Sequence, residues 1–289
     1  MKISTALHHI TDHQYGVVIP IIDDNIRITE RAIIDFAQSN PSVLISFILD
    51  ETSKNTLPLL KRVQLKCPDN ITVNAFKTLT DKVEAIRQGM LFMFQYTKVP
   101  NIGFLDPAID ISLESFLSLA KYKEHFPQFG IAIGSRIPHV NAQYAKIPSS
   151  PSKAFIDKLY AVYDKIMLKT NFQDIFCGAK LFNRTLIPFL FDSPFKDALL
   201  FEFELLLRLQ KKFGKSSIKK GIVEFPIFKW SEYQNSPVAF NQFAILPINL
   251  FNLHYKYALS ITINNAFEKF IKIFMLNNHF NYEKSLSLN

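Results

Sequence analysis

The chain has 289 residues, 48% of them hydrophobic and 20% charged, which is enough apolar material for one large core and too much for a disordered tail. Cys67 and Cys177 are its only cysteines, so a disulfide scaffold and a cysteine-rich zinc site are both excluded, and a reducing compartment is the simpler expectation. The net charge of +8 suits phosphates, anionic lipid or nucleic acid without choosing among them.

The first twenty residues, broken by His8, His9, Asp12 and His13, lack the apolar run of a signal peptide, and no uninterrupted stretch of about 18 apolar residues follows. A cytoplasmic chain without a spanning helix is expected. Gly16 to Pro20 reads as a buried strand of the parallel type, and the polar Asp23, Asp24 and Asn25 lead into a helical pattern carried by Ile28, Ala32, Ile33 and Phe36. The alternation repeats, with strands over Val43 to Leu49, Ile71 to Phe76 and Ile102 to Leu105 and helices over Leu57 to Val63 and Val83 to Tyr96. Such alternation predicts an α/β fold with a central, mostly parallel sheet flanked by helices, whose ligands gather beyond the carboxyl ends of the strands. Those ends are Ile22 to Asn25, Asp50 to Thr52, Lys77 to Lys82, and Asp106 to Asp110.

A helix from Ser112 and a strand from Gly130 to Gly134 come next, then a Pro-rich loop through Pro138, Pro148 and Pro151, the kind often used as a lid. A helix from about Lys153 to Leu168 leads to Asp174 to Lys180, which reads as a compact knot of polar and small residues. Phe201 to Phe213 is helical and Gly221 to Phe228 a strand. Arg208, Lys211, Lys212, Lys215, Lys219 and Lys220 form the densest basic stretch, either a solvated helix face or a surface for an anion. After Pro237, Phe240, Phe243, Leu246, Leu250, Phe251 and Tyr255, and later Phe267, Phe270, Ile271 and Phe274, recur at helical spacing. That stripe suits a core, or an amphipathic segment lying on a bilayer. The seven histidines show no metal-ligand spacing, and no recognised nucleic-acid motif accompanies the positive charge, so no nucleic-acid partner is expected.

The ordered series of segments resembles the family-2 glycosyltransferases with the GT-A fold, and is most similar to the branch that makes dolichyl-phosphate or polyprenyl-phosphate sugars. Val17-Val18-Ile19-Pro20 is similar to the family's first strand, with Asp23-Asp24 in place of Asn-Glu, and Leu49-Asp50-Glu51-Thr52-Ser53 resembles the Asp-Asp-Gly-Ser segment that holds the nucleotide base. Lys82 to Gly89 looks like the Lys-x-x-Ala-x-Arg-x-Gly helix, and Gly134-Ser135-Arg136 like the Gly-Ser-Arg that closes a later strand. Asp174 with Cys177 to Phe182 is similar to the Asp-x-Gln-Cys-Gly-Phe-Lys-Leu-Phe block, Phe201 to Leu206 to Phe-Asp-x-Glu-Leu-Leu, and Glu224-Phe225-Pro226 with Trp230 to the Glu-Val-Pro-x-x-Trp ending. The resemblance implies a GT-A domain over residues 1–238, with a nucleotide-sugar half at about 16–108 and an acceptor half at about 109–238, followed by a helical extension over 239–289.

It further implies an inverting transfer of a hexose from a nucleotide-diphospho-sugar to an acceptor such as a polyprenyl phosphate, at the inner face of a membrane with an anionic surface. Pro20, Asp23, Asp24, Asp50, Glu51, Lys82, Arg87, Arg136 and Lys180 would contact substrates; Asp106 and Asp174 would be catalytic, with Asp106 on a Mg2+ or Mn2+ ion. The leaving diphosphate gathers negative charge, which a divalent cation or fixed positive groups must meet. Here the family's Asp-x-Asp reads Asp106-Pro107-Ala108, so the second carboxylate is absent; Asp110 is either a substitute or a cap for the next helix. Lys82 and Arg87 either face a phosphate or stand as an exposed lysine and an arginine tied to an acid, and Lys180 and Glu204 read also as internal partners. Thr52, Phe176 and Ala108 depart from the family's pattern, and they favour the rival reading of a degenerate relative that binds a nucleotide sugar without transferring it.

Overall fold

The computed structural model describes residues 13–22, 29–77, 79–107, 109–136, 162–163, 172–214, 216–227, 230–232 and 245–259. The calls on Asp23, Asp24, Ala108, the Pro138 to Pro151 loop, most of the Lys153 to Leu168 helix, Phe240, Phe243 and Phe267 to Phe274 lie outside them.

The chain lays down β1 (Tyr15–Ile21), α1 (Glu30–Ser39), β2 (Val43–Asp50), α2 (Thr56–Lys66), β3 (Ile71–Phe76), α3 (Lys82–Tyr96) and β4 (Asn101–Leu105) in strict alternation. It continues with β5 (Ile109–Ile111), α4 (Leu113–Glu124), β6 (Ile131–Ser135), β7 (Ala179–Asn183), α5 (Phe201–Phe213), β8 (Ile222–Pro226), β9 (Trp230–Glu232) and a final helix α6 over residues 245–259. Seven strands form one sheet in the order β3-β2-β1-β4-β7-β6-β8. Neighbours are parallel except at β7, which runs antiparallel to both β4 and β6. The expected α/β architecture with a mostly parallel sheet is thus present.

Every residue of β1 is buried, as an uninterrupted apolar run at the centre of a doubly covered sheet demands. The fully buried Phe47, Phe104 and Phe182 each contribute roughly 1.5–3 kcal/mol by leaving water. Helix α3 lies against β1 and β2 at Gly89, where a Cβ would meet Val18 Cγ1 at 2.4 Å and Ile48 Cγ1 at 2.7 Å, so only glycine permits this approach. Asp81 caps the helix by accepting from the Glu84 amide at 2.9 Å, which fixes where Lys82 begins it.

Two expectations are corrected. Asp174 to Lys180 is not a knot throughout: from Ala179 the chain enters β7, whose residues Ala179, Lys180, Leu181 and Phe182 are all buried, and a lysine inside the run disguises a core strand. Asp110 belongs to β5, which pairs antiparallel with β9, while the cap of α4 is Ser112, accepting from the Ser115 amide at 3.2 Å.

Candidate functional site

Because β7 is reversed, its start lies at the same sheet edge as the ends of β4 and β6, where Leu105 pairs with Ala179. That edge therefore gathers Asp50 after β2, Asp106 after β4, the Asp174 to Gly178 segment before β7, and Arg136 after β6. β2 and β4 flank β1, so Asp50 and Asp106 stand on either side of its end. Pro20 is buried within β1 beside Ile48, and Glu51 is exposed at the end of β2.

Asp50 folds back on its own turn. Its Oδ1 accepts from the Thr52 hydroxyl at 2.6 Å and the Thr52 amide at 2.9 Å, and its Oδ2 from the Leu79 amide at 3.4 Å. The Thr52 hydroxyl, then the Thr52 amide, hold its pKa below the usual carboxylate range. The side chain that replaces the family's glycine thus orders the carboxylate. Three residues beyond Leu79, the Lys82 ammonium lies 2.5 Å from Asp106 Oδ2; Lys82 is 44% exposed and the Asp106 side chain 8%. The Asp106 amide donates to Gly178 O at 2.8 Å, which fixes the carboxylate at the junction of β4 and β7.

On the far side, Arg136 grips Asp174 bidentately: Nε to Oδ2 at 2.7 Å and Nη2 to Oδ1 at 2.8 Å, with the Arg136 amide adding a third bond to Oδ2 at 2.9 Å. The amides of Gln173 and Asp174 in turn donate to Glu224 in β8, at 3.0 Å and 2.7 Å. Sequence spacing gives no sign of this pairing, although both residues were expected at the site.

Arg87 and Lys180 are turned elsewhere. Arg87 sends Nε and Nη2 to Glu84, each at 2.7 Å, and Nη1 to the carbonyls of Phe191 and Asp192, so this buried guanidinium ties α3 to a distant loop instead of facing a phosphate. Burial raises the Glu84 pKa, but the bonds from Arg87 and Gln88 outweigh it and leave the group below its ordinary range. Lys180, 2% exposed, donates to Cys177 O at 2.8 Å and lies 3.6 Å from Glu202, over the Phe104 ring. It is an interior cation of the core strand and not a substrate contact. Glu204 serves a different network, accepting from Arg208 at 3.0 Å and from the Tyr257 hydroxyl at 2.8 Å, which fastens α6 to α5.

This fold is shared with solved structures. Glucosyl-3-phosphoglycerate synthase from Mycobacterium tuberculosis, solved with Mn2+, UDP and glucosyl-3-phosphoglycerate, matches 86% of this chain and 78% of its own, with a TM-score of 0.54 at 13% identity. Mannosyl-3-phosphoglycerate synthase from Rubrobacter xylanophilus matches 86% of this chain and 73% of its own, with a TM-score of 0.52 at 14% identity. The chain has the GT-A fold. No protein-family model matches the sequence, and no curated protein does. At the carboxyl edge of this chain's sheet, a divalent cation such as the Mn2+ of the mycobacterial synthase structure would find a poor donor set. Among the described residues no three of His, Cys, Asp and Glu cluster to hold a metal, the triplet offers Asp106 as its one carboxylate, and an ammonium already lies on that carboxylate. The residues present do not fit the ion.

Exposed apolar and basic side chains occur on the last described helix and on the segment before β8. α6 turns Leu246, Leu250, Leu253 and Tyr257 inward and exposes Ile245, Ile248, Phe251, Tyr255 and Leu259 on the other side. Lys211 and Lys212 on α5 are exposed, as are Lys219 and Lys220, whereas Arg208 is buried, bonded to the Leu190 and Ser193 carbonyls, and is not part of that charged surface. No described helix is long and apolar enough to cross a membrane.

Proposed function

We propose that the chain is a glycosyltransferase that takes a hexose from a nucleotide-diphospho-sugar bound at the carboxyl edge of the sheet. The observation that carries this reading is the linkage of Asp50 and Asp106 by one short segment: Leu79 bonds the first and Lys82 the second, so two strand-end carboxylates on either side of β1 are joined where the donor crevice would lie. Asp50 and Glu51 would accept from base and ribose, Pro20 would floor the crevice, and Asp23 and Asp24 would be further substrate contacts. The related folds add support, since the mycobacterial synthase has been solved with UDP-glucose, Mn2+ and phosphoglyceric acid.

The reaction is an inverting single displacement. An acceptor oxygen attacks the anomeric carbon while the bond from that carbon to the diphosphate oxygen breaks, and its electron pair leaves with the nucleoside diphosphate. A phosphate acceptor is already an anion near neutral pH, so Asp174 need not remove a proton. It instead holds Arg136 where an incoming phosphate would meet the guanidinium. A polyprenyl phosphate suits the exposed apolar stripe of α6 together with the exposed Lys211, Lys212, Lys219 and Lys220, a combination that matches an anionic membrane surface.

The test measures nucleoside diphosphate released from a panel of nucleotide sugars, with polyprenyl phosphate, 3-phosphoglycerate or no acceptor. Asp106→Asn should reduce turnover by about 10²–10³-fold, the range for losing one transition-state interaction. No release from any donor would remove transfer and leave the rival reading, a nucleotide-sugar-binding protein, which the closed Arg136 to Asp174 pair favours.

A further inference from the structure

Departing diphosphates need positive charge, and in this crevice the sequence has removed one of the two carboxylates that would hold a divalent cation. The remaining carboxylate, Asp106, is 6% exposed and carries the Lys82 ammonium at 2.5 Å. A metal ion would have to displace that ammonium and then bind through a single side-chain carboxylate. Lys82 itself is close to half exposed while its ammonium is anchored on the buried Asp106. An ammonium has three N–H donors, and the bond to Asp106 uses one. Its position is set on both sides: Asp81 caps the first turn of α3 through the Glu84 amide, and Asp50 holds the segment before it through the Leu79 amide.

Resting on the donor-site reading above, we propose that Lys82 takes the place of the divalent cation: its ammonium, aligned by Asp106, neutralises the diphosphate of the nucleotide sugar, and donor binding is independent of metal. Asp106 in this arrangement is a positioning residue for the lysine and not a metal ligand. The charge of the lysine is worth most when the diphosphate leaves.

The experiment is calorimetric titration of the full chain with UDP-glucose, GDP-mannose and dTDP-glucose, each in EDTA and in manganese, together with manganese alone. The expected result is one donor bound equally, within about twofold, in both media, and no heat from manganese alone. Lys82→Gln should weaken that binding about 10- to 100-fold, as expected for deleting a charged hydrogen-bonding partner, and manganese should not restore it. If Lys82→Gln does not fold because the buried Asp106 loses its ammonium, Lys82→Gln with Asp106→Asn removes both charges and should show the same loss. In a Lys82→Gln, Ala108→Asp background, manganese should restore binding, since a second oxygen ligand returns. Donor binding that requires manganese in the wild type overturns the inference and leaves the donor site standing. Metal-free binding that survives loss of Lys82 overturns the role of the lysine alone. No binding of any donor in either medium overturns both the inference and the donor-site reading.

Discussion

Arg136 and Asp174 form a buried, bidentate ion pair after β6, and a double-mutant cycle measures its strength. Asp174 accepts three N–H bonds, two from the guanidinium and one from the Arg136 amide, and the side chains are only 14% and 7% exposed. Exposed pairs contribute about 0.2–1 kcal/mol, whereas removing one partner of a buried pair costs about 3–5 kcal/mol. In Arg136→Ala the amide bond survives, so the cost should fall near the lower end, at about 3 kcal/mol. Asp174→Ala removes all three bonds and leaves the guanidinium without its carboxylate, so about 3–5 kcal/mol is expected. The double variant should lose less than the sum, with a coupling of about 2 kcal/mol, read from urea unfolding of the four proteins. A coupling below about 0.5 kcal/mol would refute the reasoning, because it would mean that water screens the pair and the arginine is already available to any phosphate.

Three further outcomes follow from other contacts. Gly89→Ala should destabilise by about 1–2 kcal/mol in the same assay: the clash with Val18 and Ile48 costs about 1–3 kcal/mol and exceeds the gain of up to about 1 kcal/mol in helix propensity, and an unchanged midpoint would contradict the close approach. Burial first, then the charge of Glu204, push the Tyr257 hydroxyl up to about 12. A group raised in the fold contributes stability that is full below its unfolded value near 10 and is lost as pH rises through 12, so Tyr257→Phe should flatten the wild type's alkaline decline in that window. Equal slopes would count against the buried bond. On α6, Phe251 is 65% exposed, so Phe251→Ser should leave stability within about 0.5 kcal/mol yet reduce flotation with anionic vesicles; wild type that fails to float at low salt would remove the membrane reading.

Most strands were legible because each is a short apolar run between turn residues, and burial on both faces leaves little else for such runs to be. β7 was not, since Lys180 interrupts the run and its partner carbonyl, Cys177 O, is reached only once the strand has turned back. The ribbon of β5 and β9 joins segments of three residues each, too short for any periodicity to show. At the site, strand ends placed Asp50, Asp106 and Arg136 at one edge, but spacing says nothing about which partner a side chain selects. Arg87 sits in a helix motif that suggested phosphate binding, yet its acceptors include carbonyls 104 and 105 residues away. Just before that motif Asp81 caps; within it Ala85 and Gly89 permit close packing, Arg87 fastens a loop, and Lys82 carries its charge to the strand-end carboxylate Asp106.

The reversed strand β7 also sets an order of events during synthesis. β1 to β4 pair through local crossovers and are complete once Leu105 has emerged, but the partner of β4 on its other side begins only at Ala179. At roughly 5–20 residues per second the ribosome needs several seconds to make that intervening length. Throughout that interval β4, with Ile102, Phe104 and Leu105 bound for the core, is an open edge with unpaired amides and carbonyls, the kind of template on which other chains add strands. Losses of yield on expression should therefore track conditions that slow elongation between these two strands, and fusion partners or chaperones that shield nascent edges should matter more for this chain than its final stability would suggest.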